Sequence, residues 1–118
     1  MKVSFEGIGE RTVTFFNKDT GGAAAGEPVC MRETATVGKA AAGEKFFGVA
    51  TAVSQGCAAV QTEGFVRMKY SGTAPAVGYA LLTADGNGGV KAPGTGDKAG
   101  EFLVVEIDSS NMLLGLML

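Results

Sequence analysis

Phe65-Val66-Arg67-Met68-Lys69-Tyr70, followed by residues 77–84 and then Asp85-Gly86-Asn87-Gly88, is the stretch that decides the fold. Val66, Met68 and Tyr70 alternate with Arg67 and Lys69. Successive strand side chains point to opposite faces, so this is a strand with one buried and one wet face. Ser71-Gly72-Thr73-Ala74-Pro75 is rich in turn formers, and residues 77–84 read as the next strand. Asp-Gly and Asn-Gly pairs tolerate the positive φ of tight hairpin turns. The run at 85–88 therefore returns the chain into a strand at 90–92.

The same grammar extends both ways. Towards the N-terminus, 45–53 and 57–62 read as strands joined by Ser54-Gln55-Gly56, with Gly48 expected as a bulge. Pro28 opens a strand at 29–32, a short strand follows at 34–37, and 11–16 is another. Val3 and Phe5 alternate with polar neighbours in Lys2-Val3-Ser4-Phe5-Glu6. Residues 39–43 hold three alanines between Gly38 and Gly43, too short for a stable helix. Towards the C-terminus, 101–108 and 111–118 form a final hairpin. Nine to eleven short strands, with no sustained helical period, predict an all-β fold: a small β-barrel or compact sandwich of short antiparallel strands.

The chain has 118 residues, enough for one domain with a modest core. Residues 1–16 are expected as N-terminal strands or an arm, and 20–118 as the barrel. A loose internal repeat runs through it. Glu27-Pro28-Val29, Thr36-Val37 and Gly43-Glu44-Lys45-Phe46-Phe47-Gly48-Val49 are answered by Val77-Gly78-Tyr79-Ala80-Leu81, Gly89-Val90 and Gly100-Glu101-Phe102-Leu103-Val104-Val105. The 19 glycines follow no collagen period and sit between apolar runs, as turns and bulges do.

Charge narrows the partners. The formal net charge is −2, and the nearest basic pair is Arg67 and Lys69. Nucleic acid and anionic membranes need a dense basic patch, so neither is expected. No apolar run has the length of a signal peptide or a membrane span, so the chain is expected to start in a cytoplasm. Cys30 and Cys57 form no CxxC pair and sit in apolar strand contexts, which favours free thiols over a disulfide.

The chemistry expected of the chain is sparse. It has no His, which removes Ser-His-Asp and Cys-His arrangements and Cys/His zinc sites. The acids Glu6, Glu10, Glu27, Glu44, Glu63, Asp85, Asp97, Glu101, Glu106 and Asp108 are scattered and mostly flank turns. Residues 94–100 lack the spacing of a phosphate loop, and Gly7-Ile8-Gly9 lacks the third glycine of a dinucleotide fingerprint. Residues 85–96 have Val90 and Gly96 where a calcium loop needs Gly and Glu. No cofactor, metal or catalytic residue is therefore assigned, and an enzyme is not expected.

The last strand is unusual. Met112, Leu114, Leu116 and Leu118 share one face, while Leu113 and Met117 occupy the other around Gly115. A strand apolar on both faces needs two covers. One cover is either the rest of a sandwich or a second subunit, which would make Met112, Leu114 and Leu116 a subunit interface.

Taken in order, Gly26-Glu27-Pro28-Val29, residues 41–50, residues 58–66 and Gly78-Tyr79-Ala80-Leu81-Leu82, with the Gly-rich hairpin and final apolar strands, form a pattern. Over residues 20–118 it resembles the small capsid-decorating (cement) and head-fibre-base proteins of tailed bacteriophages and prophages. The resemblance implies a β-barrel-like virion protein on the capsid exterior. It implies an oligomer, often a trimer, bound to the major capsid protein, without cofactor or catalytic residues. The fibre-like extension of two-domain members has no counterpart here. On this reading Val3, Phe5 and Ile8 are the expected capsid contact. The alternative is a soluble β-barrel binding module for a carbohydrate or other ligand, which predicts an exposed aromatic platform; with no Trp, only Tyr70 and Tyr79 offer amphipathic rings.

Overall fold

The structure is a computed structural model that describes residue 4 and residues 9–118. The protein is all-β. Ten strands follow in order: β1 (Arg11–Asn17), β2 (Pro28–Glu33), β3 (Thr36–Lys39), β4 (Gly48–Ser54), β5 (Cys57–Glu63), β6 (Phe65–Lys69), β7 (Gly78–Ala84), β8 (Val90–Lys91), β9 (Gly100–Asp108) and β10 (Leu113–Met117). Of residues 2–6, where a strand is expected, only residue 4 is described, and the rest of that expectation lies outside the described residues.

The first five strands close a barrel in the order β1-β3-β2-β4-β5. All its pairings are antiparallel except β1 with β3, which run parallel through Phe16–Thr36 and Asn17–Val37. The last five form a curled antiparallel sheet, β6-β10-β9-β7-β8. A single parallel bridge, Tyr70–Val90, joins its two ends.

These two sheets share one topology. Asn17–Val37 and Tyr70–Val90 are the same bridge shifted by 53 positions. The hydrogen bonds from Lys18 N to Val37 O and from Ser71 N to Val90 O carry the same shift. Val13–Val60 corresponds to Val66–Leu116. Each hairpin that ends a half has a bulge at the same place. Thr51 is the extra residue between Ala50 and Ala52, and Val105 is the extra residue between Val104 and Glu106. The bulge was expected at Gly48, which instead meets a neighbour: a Cβ there would lie 2.7 Å from Gln61 O and Val60 Cγ1.

Local chemistry explains the turns. Gln55 and Gly56 both have positive φ, 51° and 77°, as a two-residue primed turn between β4 and β5 requires. The turn after β7 is longer than a tight hairpin. Asp85 Oδ1 accepts the N–H groups of Asn87 and Gly89, and Asp85 N donates to Gly89 O.

The interiors differ. A five-stranded barrel encloses little space, and the first is filled by Ala23, Val29, Val37, Ala50, Ala58 and Val60. The second sheet wraps Val66, Met68, Tyr70, Leu82, Val90, Val104, Leu114 and Leu116. Phe46, Val49, Cys30 and Ala40 of the first half join this larger cluster, and Phe46 stacks on Phe102 with centroids 5.0 Å apart. One apolar core thus ties the halves together.

Candidate interaction surface

The inner faces are packed, so any docking surface lies on the outer faces and edges. On the second sheet one row crosses four strands: Tyr79 beside Leu103, Leu103 beside Met117, Met117 beside Phe65. Its two ends behave differently. Phe65 is buried, because Gly115 leaves room for its ring; a Cβ there would sit 2.6 Å from the ring carbons. Arg67 lies 5.2 Å above that ring, and its Nε donates to Glu106 at 2.8 Å. At the other end Val77, Tyr79 and Leu81 are 66%, 75% and 55% exposed. Together they form an exposed apolar group on the outer face and edge of the sheet.

The residues expected at interfaces from sequence fall elsewhere. Val3, Phe5 and Ile8 lie outside the described residues. Leu114 and Leu116 are completely buried and face Val104 and Val66, so they offer no surface to another subunit. The structure corrects that assignment: the second cover of β10 is the Phe65 ring over Gly115, supplied by the same chain. Met112 is exposed, at the turn before β10, with φ +54°. The sequence reading missed Val77, Tyr79 and Leu81 as a group. Their alternation with Gly78 and Ala80 was a usable signal, masked because small residues also read as apolar.

Several polar groups are engaged in structure. Arg32 makes two hydrogen bonds to the Glu44 carboxylate, at 2.6 and 2.9 Å. Glu44 Oε1 also accepts the Ala41 N–H. This Arg32 partnership holds the Glu44 pKa down at about 2. Glu27 accepts the Ala24 N–H and pairs with Lys39, and Asp108 is held below its ordinary value by Asn111. Cys30 and Cys57 are free thiols. Burial raises the Cys30 pKa, and its Sγ contacts the Lys45 carbonyl at 3.2 Å. Among the described residues no three His, Cys, Asp or Glu side chains are grouped to hold a metal.

Compared with known proteins, the chain matches no family model and no curated protein.

Proposed function

We propose that this chain is a structural protein that decorates and stabilises the outside of a tailed-phage capsid, acting as an oligomer bound to the major capsid protein. The observation that carries a docking role is the exposed apolar group Val77, Tyr79 and Leu81 at the outer face of β7. The capsid as the thing docked comes from the resemblance over residues 20–118. A protein that binds only the expanded shell stabilises that state by mass action, and many equivalent weak sites act together. No bond is made or broken, so the chain needs rigidity and surface, and its engaged acids suit that.

One observation favours a second reading. Tyr79 is an exposed amphipathic ring, as a carbohydrate-binding module would use. Its flanking residues Val77 and Leu81 are aliphatic and offer no hydrogen bonds to a sugar. That environment suits a protein partner better.

The test is made on particles. Heads are purified from the source strain after induction, and this chain is quantified against the major capsid protein by mass spectrometry. A fixed, high ratio is expected. Absence from intact heads, with abundant chain in the lysate, overturns the capsid reading.

A further inference from the structure

The two halves share a topology, yet one strand edge covered in the first has no partner among the described residues in the second. In the first half β3 pairs with β2 through Cys30–Gly38 and Val29–Lys39, and Ala40 N then donates to Pro28 O at 3.0 Å. In the second half β8 pairs with β7 only through Thr83–Lys91 and Ala84–Val90. The position matching Ala40 is Pro93, which has no N–H to give. The carbonyl it would have met is that of Leu81, the match of Pro28. β8 ends at Lys91, two residues before the proline, and among the described residues nothing pairs with this edge of β7 beyond Thr83.

The direction of the bare groups follows from the ladder. Ala84 uses its N–H and C=O on Glu44 O and Gly43 N, away from β8. Strand residues alternate in the edge they address, so Thr83, Leu81 and Tyr79 direct theirs to the β8 side. Among the described residues no strand pairs with that side at Tyr79 and Leu81. The side chains of both residues are also exposed. Natural sheets block such edges with Lys, Pro or a bulge, and residues 77–81 contain none of these.

We propose that this edge is a homodimer interface, in which β7 pairs antiparallel with β7 of a second copy across a two-fold axis at Ala80. Tyr79 then lies opposite Leu81 of the second copy, and Leu81 opposite its Tyr79. These are narrow pairs that exchange N–H···O bonds in both directions. An isologous contact must be self-complementary, and an antiparallel strand edge is so by geometry. Charge agrees, because residues 71–84 hold no charged side chain, so two copies of an acidic chain meet there without repulsion. The contact joins the two curled sheets into one and continues the row Tyr79–Leu103–Met117 across the axis. It deepens the oligomeric part of the proposed function and rests on it only for its use on a shell. A chain missing from heads but dimeric in solution sinks the decoration reading alone; a chain present on heads but monomeric in solution sinks the dimer alone.

The test is sedimentation velocity on the purified full chain. A contact this small is expected to be weak, so the range runs from about 5 to about 200 µM. Wild type should move from monomer to dimer across it. Tyr79→Lys/Leu81→Lys places like charges opposite each other twice and should weaken dimerisation by more than about 100-fold. Tyr79→Lys/Leu81→Glu places opposite charges in the same register and should keep the dimer at low salt. Leu81→Pro removes an N–H that serves no strand among the described residues, and should give a folded monomer by circular dichroism. A wild type that stays monomeric or forms a trimer overturns the proposal. So does a Tyr79→Lys/Leu81→Lys protein that dimerises like wild type, which would place the contact elsewhere.

Discussion

The first barrel and the second sheet use one strand order to opposite ends. The first closes with a two-residue parallel pairing and fills its inside with alanine and valine. The second meets itself at one bridge and holds leucine, methionine and tyrosine. The inner side chains of the second are larger, and Pro93 stands where the first half continues the strand that covers β2. Topology therefore does not determine closure. The closed half has the smaller interior, and the half joined by one bridge is the half with the exposed apolar edge.

The largest expected effect lies at β10. Leu114→Asp puts a carboxylate into a fully buried apolar site, and the protein should unfold instead of yielding a soluble monomer. Circular dichroism decides it; a folded Leu114→Asp protein would mean that β10 is a surface after all. Next comes the matched pair Leu116 and Val60, both fully buried. Leu116→Ala should cost about 2–5 kcal/mol in urea unfolding, and Val60→Ala clearly less, because it removes fewer buried carbons. Equal losses would break the contrast between a large-residue and a small-residue interior.

Gly115 sharpens the comparison further, since Ala59 is its match in the first barrel. Gly115→Ala drives a methyl into the Phe65 ring and towards Glu106 Cγ, which would lie 2.7 Å away. The expected cost is about 1–3 kcal/mol. A neutral result would show that Phe65 moves freely, and that the outer face of β10 is not covered as described.

The smallest effect is electrostatic. Glu44 titrates at about 2 when folded, against an ordinary value of 4.5. A carboxylate with a depressed folded pKa stabilises above its unfolded pKa. That contribution falls away as pH drops from about 4.5 towards 2. The pair is partly exposed, so Glu44→Gln should cost only about 1 kcal/mol at neutral pH. The gap in melting temperature between wild type and Glu44→Gln should shrink as pH falls through that window; a constant gap contradicts the pairing.

Much of the fold was legible because period-two alternation and glycine turns are local. Met68 and Tyr70 alternating with Arg67 and Lys69 gave β6, and Ser54-Gln55-Gly56 gave the turn after β4. The bulges at Thr51 and Val105 were not legible, since a bulge is a property of register between two strands and needs no glycine. The cover of β10 was misread for a related reason. That Gly115 makes room for Phe65 depends on residues 50 positions apart meeting across β6 and β10. The bare β7 edge depends on Pro93 falling where an N–H was needed. Its local trace was a proline two residues after a very short strand.

The most direct measurement of that edge is amide hydrogen exchange by NMR at two concentrations. The Ala40 amide, bonded to Pro28 O, should be protected at both. The Tyr79 and Leu81 amides should exchange freely in dilute protein and become protected as the dimer forms. Protection at Tyr79 and Leu81 that is already present in the dilute monomer would show the edge to be covered by its own chain, and would contradict the account.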